Sequence, residues 1–500
     1  MSDPILWLAG LFALPALVIG ASCVHLDVER LRQLAVVSAA AMVLAALVMT
    51  LSPSLSTLSI EPSTLGWITG RAPLIRIDAL SAVLLPFAAG LWLLTVAVTP
   101  RAALDRLGLR RTALATVFTL TSFLTESAIV LLLLSVASVW TFVSALSDPA
   151  HRRQRRIVGA YLGGSTLMLG VGVVLLLITP TVQHTRLQTV GLWVIAIAAL
   201  MRKGIVPFHA WVPEVFDHGP LGPTILFNAP QVGAYMTVIL IVPRASPELL
   251  RLIAMLALGT AVYGAALALV QTSARRACGY LFMSQSALVM AGLDCTSASA
   301  LSGGLLVWLS AGLAFAGLAR AVLVLEARRG RLNLTTYHGG YERMSVLAVS
   351  FLAMGLACTG FPGTLGFVGQ ELLVNGAIDA FPVMGFAIVV ASALTGLAVL
   401  RMYFCLFCGR RDVHRHVGVQ VGLTRREAWT FVALVSVLVG FGIAPRPLVD
   451  SRFAASDGIL RLRQTSTARS DTSTRASKAQ TLSSQGKFGR VVDARHEDAR

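Results

Sequence analysis

Met201-Arg202-Lys203-Gly204-Ile205-Val206-Pro207-Phe208-His209-Ala210-Trp211-Val212-Pro213-Glu214 decides how this chain is read. An apolar run that starts near residue 187 meets two adjacent cations, a glycine, a histidine and two prolines. Proline lacks an N–H and its ring clashes with the preceding turn, so a helix interior rejects it. The stretch therefore reads as a helix broken inside a hydrophobic segment, with charge at the break.

A second stretch has the same character: Thr359-Gly360-Phe361-Pro362-Gly363-Thr364-Leu365-Gly366-Phe367-Val368-Gly369-Gln370-Glu371 interrupts the apolar run 345–378. The two stand at the same relative place in successive five-helix blocks, 112–243 and 251–408. Discontinuous helices in corresponding halves point to an ion pathway built from repeats. The blocks share layout, not residue-level identity. Pro207, His209, Pro213, Gly360, Pro362 and Gly363 are the expected break residues, with His209 holding the first break together by hydrogen bonds.

The rest of the chain sets the solvent. Of 500 residues, 56% are hydrophobic and 13% charged, against roughly a quarter charged in a soluble domain. Soluble enzyme, disordered chain and secreted disulfide scaffold are excluded. Crossing a bilayer takes about 20 mostly apolar residues. Such runs fall near 4–22, 32–52, 78–98, 112–125, 126–146, 157–179, 187–212, 223–243, 251–271, 278–294, 299–325, 345–378, 383–408 and 427–446. Runs of this length in lipid are helices, because every backbone group must be satisfied internally. The expected fold is an all-α polytopic membrane protein of about 14 transmembrane helices, with two inverted five-helix repeats that each contain a discontinuous helix. Its parts are N-terminal helices over 1–111, repeats over 112–243 and 251–408, a loop and last helix over 409–460, and a disordered basic tail over 461–500.

The net charge of +17 is a matter of topology rather than of nucleic-acid binding. Loops after odd-numbered helices hold clusters such as Arg110-Arg111, Arg152-Arg153, Arg155-Arg156, Arg275-Arg276 and Arg328-Arg329. Loops after even-numbered helices hold Arg71, Arg76, Arg186, Arg244 and Arg251. Basic residues collect on the cytoplasmic side, so both termini are expected outside the cytoplasm of a bacterial inner membrane. Asp217 and His218 are then expected in a solvated loop, and Arg410, Arg411, His414, Arg415 and His416 in a basic one.

Lys203 is one of three lysines among 41 basic residues, the other two being Lys478 and Lys487 in the tail. A lysine can give up its proton inside a protein, whereas an arginine effectively cannot. Spacing alone leaves two readings level: proton exchange beside a mid-membrane break, or Arg202 and Lys203 snorkelling at a helix end. Cys405 and Cys408 form a C-x-x-C without a second pair, which reads as packing. With neither a Gly-rich dinucleotide loop in context nor an iron–sulfur spacing, no cofactor, metal or enzymatic active site is expected on this chain.

The stretch from Arg202 to Tyr235, with Pro207 to Pro213 and then Pro223-Thr224, resembles the proton-translocating antiporter module. That module is shared by subunits L, M and N of bacterial respiratory complex I, membrane-bound hydrogenases and multisubunit sodium/proton antiporters. Ile75-Arg76-Ile77-Asp78-Ala79-Leu80-Ser81 is similar to the family's entry to helix 3. Arg275-Arg276-Ala277-Cys278-Gly279-Tyr280 with Ser284 is similar to its K-R-x-x-A-Y-S turn. Gly360 to Thr364 with Phe367 to Glu371 resembles the subunit M version most. Arg401 to Phe404 and Gly442 to Pro445 match the last two helices. The resemblance covers about 70–450, with the motifs in order.

The resemblance implies a row of protonatable groups at mid-membrane, and this sequence departs from it at nearly every station. Ser138 stands at the helix-5 glutamate position, with Glu126 about a helix length earlier. Arg202 stands at the helix-7 lysine position, with Lys203 next to it. Asn228 stands at the helix-8 position. Ser310-Ala311 and Phe315 replace the helix-11 histidine and lysine, with Arg320 further along. Gln370 stands at the helix-12 position, with Glu371 adjacent. Arg202, Lys203, Glu371, Gln370, Asn228 and Ser138 are thus the candidate proton-translocation residues.

Three functions follow as expectations. The first is a membrane subunit of an NADH-quinone oxidoreductase-like complex, translocating protons coupled to electron transfer in partner subunits; NADH and quinone would be met through those partners. The second is the membrane partner of an energy-coupled inorganic-carbon uptake system, or a cation/proton antiporter. The third is a non-conducting structural membrane subunit.

Overall fold

The computed structural model describes residues 4–24, 26–52, 59–60, 75–100, 105–146, 151–178, 186–380, 382–409 and 422–465. The chain enters through α1 (Pro4–Cys23) and α2 (Val28–Leu51), then a two-residue antiparallel ribbon of β1 (Ser59–Ile60) and β2 (Ile75–Arg76). After α3 (Ala79–Val98), the first block comprises α4 (Arg106–Leu124), α5 (Ala128–Ala145), α6 (Arg152–Ile178) and α7 (Arg186–Lys203), then the short α8 (Trp211–His218), α9 (Leu221–Asn228) and α10 (Val232–Met236). The second comprises α11 (Pro247–Val270), α12 (Ala274–Leu293), α13 (Ala298–Arg329), α14 (Ser345–Cys358), α15 (Leu365–Ala380) and α16 (Pro382–Phe407), followed by α17 (Arg425–Ile443). A last helix, α18, spans 446–465.

Among the described residues, ten helical segments are long and apolar enough to cross a membrane, counting the interrupted stretch Leu221–Ile241 as one. The chain is a multi-pass, all-helical membrane protein. Helical segments fall on all fourteen apolar runs. Its interior and exterior are both apolar: Leu133, Trp140, Phe386 and Trp429 are exposed, which is ordinary where the surroundings are lipid. The centre is α13, buried from Ala300 to Leu325 except at Leu313 and Leu323. It lies tightly on α15, because a Cβ on Gly303 would come within 2.3 Å of the Leu373 nitrogen. Small residues allow such backbone contact between membrane helices, where packing rather than water exclusion drives association.

The break expected inside the run 187–212 falls at Gly204, whose left-handed φ of 67° ends the helix at Lys203. Two other expectations are corrected. The run 223–243 is not one helix; Pro230 cannot donate to the preceding turn, and the chain restarts at Val232. The tail boundary at 461 is too early, since α18 continues to 465. Arg452, Ala455, Ser456 and Ile459 are buried, a helical spacing that intervening charges conceal in the sequence. The remainder of the tail, 466–500, lies outside the described residues, as does the loop with His414 and His416.

α18 ties together the end of the molecule opposite the arginine clusters. Arg452 Nη2 donates to Ala79 O at 2.6 Å, Ser456 Oγ meets Ser302 Oγ at 2.8 Å, and Arg463 Nη1 donates to Val242 O at 2.7 Å. Arg76 pairs with Glu126 at 3.0 Å on the same end.

Candidate functional site

Both long breaks are made by one device. At the first, Gly204 N donates to Met201 O and Ile205 N to Leu200 O, the crossed pair of bonds that closes a helix around a left-handed glycine. At the second, Gly360 has φ 74° and Phe361 N donates to Leu356 O at 3.0 Å. A break inside a membrane leaves backbone carbonyls without partners, and side chains satisfy them here. Trp211 Nε1 donates to Met201 O at 2.9 Å, and Gln370 Nε2 to Cys358 O at 3.0 Å. Trp308 Nε1 does the same for Pro230 O at 3.0 Å, in the interruption between α9 and α10. His209 meets Tyr263 edge-on, with Nε2 3.4 Å from the phenol oxygen.

The break places Arg202 and Lys203 in the last turn of α7, where the helix dipole favours a cation. Both side chains are buried. Lys203 Nζ donates to Gln231 Oε1. Gln231 reaches it from a left-handed φ of 56°, a conformation uncommon for a residue with a Cβ. Gly233 lets the lysine stem pass, since a Cβ there would lie 3.1 Å from Lys203 Cγ. Arg202 turns the other way: Nη2 donates to Ser138 Oγ at 3.1 Å, and the guanidinium sits 4.8 Å over the Phe227 ring.

Small voids meet at this pair. One of about 30 Å³ is lined by Arg202, Ser138, Ser122, Thr119 and Arg111, enough for about one or two waters. Another of about 10 Å³ lies among Lys203, Asn228, Gln231 and Ser286, at the lower limit for a single water. A third of about 10 Å³ joins Arg202 to Ser135 and Ser165. Chemically, the cluster couples a fixed cation, a cation able to release its proton, and hydroxyl and amide groups able to relay one.

Four of the six candidate residues come together here: Arg202, Lys203, Asn228 and Ser138. Asn228 uses its amide partly on its own helix, Nδ2 donating to Thr224 O at 2.9 Å. Gln370 stands at the second break, buried, with Oε1 accepting from Ser392 Oγ at 3.0 Å. Glu371 is exposed and lies off that interior. Phe315 belongs to a buried aromatic cluster, 5.7 Å from Phe216 and 5.2 Å from Phe282 between ring centres. Phe282 also walls the Lys203 void. Asp217 is not solvated as expected: it accepts from Ser273 Oγ at 2.8 Å and pairs with Arg331 at 3.5 Å.

Sequence reasoning missed Gln231 and, on α12 beside the Ser284 of the turn motif, Gln285 and Ser286. The Gln285 amide and both serine hydroxyls are buried without a protein hydrogen-bond partner. A polar triplet inside an apolar run, and a glutamine directly after Pro230, were the available signals.

The first broken helix thus buries a lysine among small polar voids inside a membrane bundle. Residues 161–395 match the family model described as NADH:quinone oxidoreductase/Mrp antiporter, TM. It is 28% identical over 272 residues to NADH-quinone oxidoreductase subunit M of Pseudomonas aeruginosa, covering 53% of this chain and 52% of that one. The chain thus spans about half the length of the curated relatives it matches. Its fold matches a chain of the Mrp complex from Dietzia sp. DQ12-45-1b with a TM-score of 0.81 at 17% identity, covering 93% of this chain and 98% of that chain. It also matches a chain of respiratory complex I from Thermus thermophilus, TM-score 0.80 at 20% identity, covering 91% and 99%.

Proposed function

We propose that this chain is a membrane subunit of an NADH-quinone oxidoreductase-like complex and moves protons while partner subunits carry the electron transfer. The supporting observation is the buried Lys203, bonded to the neutral Gln231 and flanked by the fixed charge of Arg202. In this reading Lys203 takes up and releases the proton. Gln231 holds the amine in place, and Arg202 keeps a permanent positive charge beside it. Ser138, Asn228 and Ser286 form the polar walls along which protons arrive and leave through water. Intramembrane ionisable groups are expensive to keep and mark ion pathways. In this reading the chain lies in a bacterial inner membrane with its arginine-rich end facing the cytoplasm, as the bias of arginine between loops supports, and NADH and quinone are handled by the partners.

Proton flux in vesicles holding the intact complex tests this. Lys203→Ala should abolish most of the flux, while Glu371→Ala, on an exposed position, should change it little. Unchanged flux in Lys203→Ala would end the proposal and leave the fold standing.

One feature favours a second reading, in which the same fold serves as membrane partner in an energy-coupled inorganic-carbon uptake system. The Phe216–Phe282–Phe315 cluster fills the side of α13 where relatives of the module are expected to carry protonatable groups. A relay confined to the Lys203 region fits a shortened pathway. Bicarbonate-dependent growth of a deletion strain, with quinone reduction intact, would favour this reading over the first.

A further inference from the structure

At the arginine-rich end, a cavity of about 260 Å³ opens between the end of α3 and the starts of α4, α9 and α12, with α13 behind it. By volume it would hold about eight waters, and it is smaller than the pockets that take drug-sized organic ligands.

Arg320 forms its back wall and is fully buried. Its Nη1 donates to Thr99 Oγ1 at 3.3 Å. Its Nε and Nη2 are buried with no protein acceptor. A guanidinium buried in this way is costly unless its charge is matched, and none of the described carboxylates pairs with it.

The group facing it makes the imbalance larger. A Cβ placed on Gly222 would lie 3.3 Å from Arg320 Nη2, so the guanidinium rests against the first turn of α9. That helix begins after Pro220, which supplies no side-chain cap. The first N–H groups of a helix have no partner within it, and they carry the positive end of the dipole. An unpaired cation and an uncapped helix N-terminus therefore stand face to face, where an anion would satisfy both.

The neighbouring charges leave that role open. Arg111 lines the cavity and donates to Ser144 O at 2.8 Å. Arg275, also lining it, is neutralised by Glu326 at 2.5 Å. Asp105 stands on the wall as the cap of α4, accepting from Gly108 N at 3.1 Å, and is exposed. The inner end is thus cationic and the acidic group is already engaged.

We propose that this cavity binds a phosphate group, free or as the headgroup of a membrane lipid, held where Arg320 and the N-terminus of α9 together line its inner end. The cavity shares Arg111, Ala145 and Pro223 with the void that reaches Arg202, so the bound anion sits at the foot of the polar route to the cation pair. The site stands on its own geometry and does not depend on proton movement through Lys203.

The test uses the full chain purified in its membrane complex. In one arm, inorganic phosphate is titrated at fixed ionic strength and thermal unfolding is followed. In the other, the delipidated complex is mixed with phosphatidylglycerol vesicles and retained lipid is read by native mass spectrometry. The wild type should show saturable binding in at least one arm, and the arm that responds identifies the source of the phosphate. Arg320→Gln should weaken that binding by about tenfold or more, the loss expected for a charge-assisted hydrogen bond. Gly222→Ala crowds the site without removing a charge, so it should weaken binding too and decides the matter if Arg320→Gln does not assemble. Absence of binding in both arms, or equal binding by wild type and both variants, would overturn the proposal.

Discussion

Arg202 donates from Nη2 to Ser138 Oγ at 3.1 Å, joining the end of α7 to the middle of α5. The arginine's Nη1 has no protein partner, so the serine hydroxyl is its specific polar anchor. Ser138→Ala should lower stability by about 1–3 kcal/mol, the usual worth of a hydrogen bond to a charged group. Thermal unfolding of the purified complex checks this, and a midpoint equal to the wild type would show the contact to be dispensable.

Lys203 and Arg202 differ in the one property that the proposed mechanism uses. Lys203→Arg keeps the charge and much of the volume but removes the ability to release a proton. Flux in vesicles should drop as far as in Lys203→Ala, with assembly unchanged. Flux at the wild-type level in the arginine variant would mean that charge, and not proton exchange, is what the position supplies.

Gly233 offers a subtler perturbation. An added Cβ meets Lys203 Cγ at 3.1 Å and Cδ at 3.2 Å, so Gly233→Ala should displace the amine from Gln231. Flux should fall severalfold while both titratable side chains remain. Assembly of the complex and flux, measured in parallel, separate displacement from unfolding.

Close helix contact and open helix surface predict opposite outcomes for the same substitution type. Gly303→Ala drives a Cβ to 2.3 Å from backbone of α15, and overpacking of this kind costs about 1–3 kcal/mol or more. Gly259, on α11, has nothing within 4 Å of the added atom. Gly259→Ala should be neutral or stabilise by about 0.5–1 kcal/mol through helix propensity. Unfolding midpoints of the two variants should move in opposite directions or differ clearly in size.

Arg452 holds α18 onto the bundle through the carbonyls of Ala79 and Leu80, at 2.6 and 3.4 Å. Arg452→Ala should release the helix locally, with faster amide hydrogen exchange over 446–465 and unchanged exchange in α13. Protection at the wild-type level would show that Ala455 and Ile459 hold the helix without the arginine.

Much of the fold was legible in the sequence because a bilayer leaves few choices. Apolar runs near twenty residues must be helices, and Gly204, Pro207, Gly360 and Pro362 mark where those helices stop. The breaks, the arginine asymmetry and the module's identity were all local patterns. α18 was not legible, because five charged residues between 450 and 463 mask a short apolar stripe. Nor was Gln231, since nothing in the order of residues says that a left-handed turn aims it at a lysine 28 positions earlier.

The sequence by itself determined the class: a membrane bundle with two broken helices and a lysine at the first. The tertiary structure alone decided which polar residues share an interior. A one-residue step turns a side chain by about 100° round a helix, so adjacency in the chain is no guide to facing. Arg202 and Lys203 are neighbours that reach opposite partners, Ser138 and Gln231. Gln370 and Glu371 are neighbours of which one is buried and the other exposed. Those directions depend on how the helices pack, and packing is a property of the whole chain.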